Sequence, residues 1–175
     1  MNVSRTVLAL VALVVVSPLA HAQEKKDPLV TRDRVLLNLA GAETVIEGAK
    51  KKGAAMGLKL NVAVVDDGGH LLAFARMDGA RPASGTTALT KAVSAATFRQ
   101  ASGPLPVKGE ADLLLSLSIQ TASGGKITAL KGGVPIVIDG QVGGAVGVGG
   151  GTGEQDAEVA KAGIQALLDA LSEKK

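Results

Sequence analysis

The chain has no cysteine, no tryptophan and no tyrosine, and Phe74 and Phe98 are its only aromatic residues. Without cysteine there is no disulfide, no thiolate metal site and no lipobox cysteine for a lipid anchor. Without aromatic surface there is no base-stacking platform for single-stranded nucleic acid. A formal net charge of +3, with no long Lys/Arg block, leaves no footprint for duplex DNA or heparin either. Histidine is nearly as scarce: His21 and His70 are the two present. No H-E-x-x-H zinc site is present, and once His21 is lost with the export signal described below, His70 alone cannot build a two-His iron triad. A G-x-S-x-G nucleophile elbow is missing, and no Lys-Ser/Thr follows the glycines as a Walker A loop requires. Disorder is excluded in turn, because hydrophobic residues make up 46% of the chain and charged ones 20%. Glycine is the abundant residue, with 23 copies clustered late in the sequence. A length of 175 residues suits one domain with a short appendage.

The appendage reads as an export signal over residues 1–22. Arg5 supplies a positive start, Val7 to Val16 an apolar run, and Ala20-His21-Ala22 a small-x-small cleavage site. The run is half the roughly 20 residues a membrane-spanning helix needs, so no stable insertion is expected once it is removed. Cleavage after Ala22 would leave Gln23 first, deliver the protein to the periplasm or the exterior, and make His70 the sole histidine. Residues 23–30 then form a polar, flexible lead-in, and residues 31–172 a single domain.

Within that domain Thr31 is placed to cap a helix carrying Val35, Leu39, Ala42, Ile46 and Ala49 on one face. Leu58 to Val65 and His70 to Met77 read as strands of a hairpin turning at Asp66-Asp67-Gly68-Gly69. Ser84 can cap a second helix, with Leu89, Ala92, Val93 and Ala96 on its apolar face. Ala111 to Ala122 mixes strand and helix signals and is read as a short helix. Ile127 to Leu130, Val134 to Ile138 and Val142 to Val148 read as three strands, the last two joined by an Asp139-Gly140 turn. The glycines of the third strand, Gly143, Gly144 and Gly147, imply that some other backbone comes close. A second subunit is the expected neighbour, since a domain with few large side chains gains from further apolar burial. Thr152 and Gln155 form a capping box for a last helix. The order of elements gives an α+β domain with a mainly antiparallel sheet.

Two clusters carry chemistry. The first, Val65 to Ser84, holds Asp66, His70, Arg76, Met77, Asp78, Arg81 and Ser84. His70 and Met77 are side chains able to hold a haem iron. Alternation along the strand turns Met77 away from Arg76 and favours His70. Arg76 with Asp78 reads more simply as a structural ion pair. The second cluster, Gly147 to Asp156, is a glycine-rich turn opening a helix, an anion site in principle. Glu154 and Asp156 in its first turn oppose an anion, and the turn equally suits tight packing with no ligand.

These clusters, in this order, resemble the GlcG/HbpS-like family of small haem-binding proteins, which includes the C-terminal domain of PduO-type cobalamin adenosyltransferases. The matching stretches are Ala63–Leu72, Arg76–Ser84, Lys91-Ala92, Gly132–Ile136, Gly140–Gly149 and Glu154–Asp156. The resemblance spans about residues 31 to 172, apart from 102–126, which match no motif. It implies a profilin-like fold, a five-stranded antiparallel sheet with helices on both faces. It also implies homo-oligomers and the binding of haem or a related tetrapyrrole, linked in exported relatives to haem sequestration, haem degradation or stress sensing. Other relatives sit beside glycolate metabolism without a settled activity, so the resemblance fixes no catalysis. On this reading His70 is the axial iron ligand, chosen by its chemistry, and Arg76 and Arg81 meet the haem propionates. The alternative is a small-acid-binding protein or enzyme, with Arg76 and Lys91 on a carboxylate and Asp66 or Asp78 as base.

Overall fold

The computed structural model describes residues 30–106 and 109–173. The expected signal segment, with His21, and all but the last residue of the lead-in lie outside the described residues. The chain divides at Arg32, and the body from Asp33 onward carries every helix and strand described.

Residues 33–37 are not helical. Val35 N donates to Gln141 Oε1 and Leu37 N to Gly143 O, so both are spent on another part of the chain. Helix α1 (Leu39–Ala55) therefore starts later than Thr31 would have it, capped by Asn38, whose side chain accepts from Gly41 N at 2.9 Å. Ala42, Val45, Ile46 and Ala49 form its buried face.

Strands β1 (Asn61–Asp66) and β2 (Leu71–Arg76) form the expected hairpin, with a register shift at Val64/Val65. Helix α2 (Ala83–Phe98) follows. Its cap is Pro82 and not Ser84, which lies inside the first turn, and no side chain caps it. Helix α3 (Leu113–Ala122) is capped by Asp112. Strands β3 (Gly133–Ile138) and β4 (Gln141–Gly149) turn at Asp139 (φ 50°) and Gly140 (φ 74°), the paired positive φ of a type I′ hairpin. Helix α4 (Gly153–Ser172) carries the complete Thr152/Gln155 capping box.

The sheet has four strands among the described residues, in the order β2-β1-β4-β3, and every pairing is antiparallel. The expected strand over Ile127–Leu130 does not form. Its polar groups are taken by hydroxyls instead: Thr128 N donates to Ser94 Oγ, Leu130 N to Thr128 Oγ1, and Leu130 O accepts from Ser102 Oγ.

The two central strands are covered on both faces, which explains the unbroken burial of Asn61–Val65. Val62, Val64, Ile136, Val146 and Val148 meet α1 and α4. Ala63, Val65 and Ala145 meet the alanine face of α2, Ala88, Ala92, Ala95 and Ala96. Here the β4 glycines have their explanation. A Cβ on Gly147 would sit 2.1 Å from Ala88 O and one on Gly149 2.5 Å from Ser84 O, while a Cβ on Gly133 in β3 would sit 2.1 Å from Lys91 O. The backbone that comes close is therefore α2 of the same chain, and these glycines give no argument for a second subunit. Gly143 and Gly144 are likewise crowded by Val35 and Leu37.

Two candidate clefts flank one helix

Helix α2 runs from the exit of β2 back to the β1–β2 turn, where Gly69 faces Val93 and Thr97. Its two ends border two different clefts, and these divide the residues that the sequence grouped together.

The first cleft, of about 570 Å³, lies at the C-terminal end of α2. His70, Leu71, Leu89, Val93, Lys126 and Ile127 are among its lining residues. The His70 side chain is 83% exposed. Asp66 holds it in place: Oδ1 accepts from the backbone N of Gly68 and of His70, and Oδ2 lies 3.1 Å from His70 Nδ1. That contact commits Nδ1 to the carboxylate and leaves Nε2 as the nitrogen with a free lone pair, the carboxylate–histidine arrangement of metal-binding imidazoles. Burial raises the pKa of Asp66, but the hydrogen bonds from His70 and Gly68 outweigh it and hold the carboxyl below its ordinary value. So engaged, Asp66 fixes the turn. Arg34 reaches over the turn to pair with Asp67.

Arg76 stands at the other end of β2, exposed. Six residues of strand separate it from His70 by roughly 20 Å. No ion pair joins it to Asp78, and both are exposed. Met77 packs on the opposite side of the sheet, against the core beside Gly53, where its thioether is a packing group.

The second cleft, of about 490 Å³, lies along the N-terminal half of α2 and faces the glycine-rich turn into α4. Arg81, Ser84, Thr87, Lys91, Lys131 and Gly151 are among its lining residues. Lys91 and Asp156 form a buried ion pair at 2.7 Å, with Lys91 5% and Asp156 1% exposed. Lys91 Nζ also donates to Val148 O at 2.8 Å, and Asp156 Oδ1 accepts from Gly151 N at 2.9 Å. Sequence reasoning set Asp156 against an incoming anion and offered Lys91 to a carboxylate. In the fold each neutralises the other. The turn is also less of an anion cradle than its glycines imply. Gly151 N serves Asp156, Thr152 N serves Gln155 Oε1, and Gln155 N serves Thr152 Oγ1. Lys131 pairs with Glu154 at the rim, 3.1 Å apart, and its hydrogen bond holds that carboxyl below its ordinary value.

The sequence reading missed Lys126 and Lys131 as lining residues and the Lys91–Asp156 pair. The pair had a signal: Lys91 is the one lysine in an alanine-lined stripe. Among the described residues no group of three or more His, Asp or Glu side chains is placed to hold a metal ion, and no helix is long and apolar enough to cross a membrane.

The chain is similar to several known proteins. The family model for haem degrading protein HbpS-like matches residues 37–165. Protein GlcG of Escherichia coli K12 is 38% identical over 117 residues, which is 67% of this chain and 84% of that protein. The crystal structure of Klebsiella pneumoniae protein ORFY superposes with a TM-score of 0.71 at 31% identity, covering 79% of this chain and 94% of that one. The crystal structure of a PduOC–haem complex superposes with a TM-score of 0.66 at 27% identity, covering 75% and 95%.

Proposed function

This chain belongs to the HbpS-like family, and from that membership together with the His70 cleft we infer that it is an exported haem- or tetrapyrrole-binding protein. The observation that carries the reading is the imidazole itself. His70 stands exposed at the rim of an apolar cleft, with Nδ1 engaged by Asp66 and Nε2 free. Nε2 is the atom that would hold the haem iron. Leu71, Leu89, Val93 and Ile127 would supply the apolar wall for the macrocycle, and Lys126, which lines the same cleft, would take the propionate role that the sequence gave to Arg76 and Arg81. Bound haem supplies the iron and its redox chemistry; the chain holds and orients it. Sequestration, degradation and stress sensing all begin with this step. The fold neighbour whose structure is a haem complex supports the choice of ligand.

Export rests on the signal pattern of residues 1–22, and mass spectrometry of the natural product should find Gln23 at its start. Homo-oligomerisation rests on α3. Leu113, Leu114, Leu115 and Leu117 are all exposed, Leu114 by 77%, and Ser116 is the only residue of that helix buried. So apolar a helix surface marks a contact face, and the occupant proposed is a second copy of the chain.

The test of the haem site is a titration of the purified protein, reading the Soret band. His70→Ala should shift the band and weaken binding, Lys126→Ala should weaken binding with the band unmoved, and Met77→Ala should leave the ligation spectrum as it was. An unchanged band and affinity in His70→Ala, with intact circular dichroism, would remove His70 from the site. No Soret shift in the parent protein would remove haem.

A further inference from the structure

The second cleft is independent of the haem reading, and it contains groups that packing does not use. Arg81 is exposed on the loop leaving β2, and no described carboxylate pairs with it. Its nearest hydrogen-bond partner is Gly150 O, 3.5 Å from Nη2, which leaves most of the five guanidinium donors free. Its backbone is nevertheless fixed, because the buried Asn61 donates Nδ2 to Arg81 O at 3.0 Å. Ser84 lies one helical turn away, 7% exposed and lining the cleft. Its hydroxyl has no hydrogen-bond partner among the described residues and is not sealed from solvent, so it is open to the cleft. Lys91 spends two of its three donors on Val148 O and Asp156 and lines the same cleft.

We propose that this cleft, between Arg81, Ser84 and Lys131, binds a small organic acid carrying one carboxylate and a further hydrogen-bonding oxygen. The fork of Arg81 takes the carboxylate in bidentate fashion. Ser84 Oγ takes the second oxygen. Lys131 is held at the rim by Glu154, an exposed pair that a ligand carboxylate can rearrange. The same geometry argues against phosphate. A phosphate site on a helix N-terminus needs free backbone donors, and three of those at this turn are already given to Asp156, Gln155 and Thr152. Beyond that, the charges around the cleft cancel pairwise, Lys91 with Asp156 and Lys131 with Glu154, leaving the single uncompensated charge of Arg81. One positive charge and one fork suit a monoanion.

The experiment is a titration of the purified protein with lactate, pyruvate, acetate and inorganic phosphate, followed by calorimetry and by NMR shifts of the Ser84 and Gly151 amides. Lactate or pyruvate should bind with a dissociation constant on the order of 1 mM, ahead of acetate, and phosphate should not compete. Arg81→Lys keeps the charge and loses the fork; it should weaken binding about tenfold, as should Ser84→Ala. His70→Ala should leave this binding intact. Arg81 is exposed, so its substitution does not endanger the fold, and circular dichroism checks this. The proposal is overturned if no saturable shift appears up to roughly 50 mM of either acid, a concentration far above the expected constant. It is equally overturned if Arg81→Lys binds as the parent does, or if phosphate binds better than lactate.

Discussion

Replacing Asp156 with Ala tests the packing logic of the whole α2 side, because that carboxylate is 1% exposed and holds two partners. Its loss leaves Lys91, itself 5% exposed, with Val148 O as its remaining acceptor, and it leaves Gly151 N without the 2.9 Å bond to Oδ1. Removing one member of a buried pair costs about 3–5 kcal/mol, because an uncompensated charge stays inside. An orphaned buried N–H adds about 1 kcal/mol. Total stabilities run about 5–15 kcal/mol, so Asp156→Ala should sit close to the threshold of folding. In urea, with m of about 2 kcal/mol/M, a loss of about 4 kcal/mol moves the midpoint down by about 2 M. Lys91→Met should cost a similar amount, since it strands the carboxylate. The double variant Lys91→Met/Asp156→Leu removes both charges at comparable volume and should be more stable than either single variant, leaving the Gly151 N–H as its main defect. Urea unfolding followed by circular dichroism measures all three. A single variant within about 1 kcal/mol of the parent, or a double variant that equals the sum of the singles, would refute the argument.

Gly147→Ala places a methyl 2.1 Å from Ala88 O, so α2 must lift off β4; a loss of about 3 kcal/mol or more in urea unfolding is expected. Asp66 has its carboxyl held below the ordinary value, so its contribution to stability is fully present above the unfolded value of about 3.9 and is lost as pH falls through the folded value. The difference in urea midpoint between parent and Asp66→Asn should thus shrink as pH falls below about pH 4; a difference unchanged between about pH 5 and about pH 3 would contradict it. Leu114→Glu, at a position 77% exposed, should change stability by no more than about 0.5 kcal/mol yet lower the mass seen by light scattering, unless α3 is not the subunit contact.

Much of the fold was legible because local signals agreed with one another. The Thr152/Gln155 capping box, the Asp139-Gly140 turn and the alternation of Leu60, Val62 and Val64 each fix an element by chemistry within a few residues. Where the sequence misled, a distant group had taken over a local one. Thr31 has the chemistry of a cap, but Gln141 and Gly143 take the backbone N–H groups of Val35 and Leu37, and Asn38 caps instead. Ile127–Leu130 has the composition of a strand, but Ser94 and Ser102 take its polar groups and leave the sheet at four strands among the described residues. No window of sequence contains both halves of those contacts.

The candidate site was less legible than the fold for a reason that lies in the hairpin. Residues close in sequence around a turn stay close in space, and so Asp66 does hold His70. Residues at the two ends of one strand are carried apart by its length, and β2 carries Arg76 and Arg81 away from His70 in this way. Helix α2 then spans the same length on the sheet face and gives one cleft to each end. The glycines of β3 and β4 make that possible: with Gly133, Gly147 and Gly149 beneath it the helix backbone rests on the sheet, and Lys91 comes within 2.7 Å of Asp156. A side chain at those glycines would lift α2 and open the pair. The glycine stripe thus contributes to the second cleft from below, without touching a ligand. A second copy of the chain, for which the glycines give no support, is proposed instead on the contact face of α3, whose leucines no other part of the described chain covers.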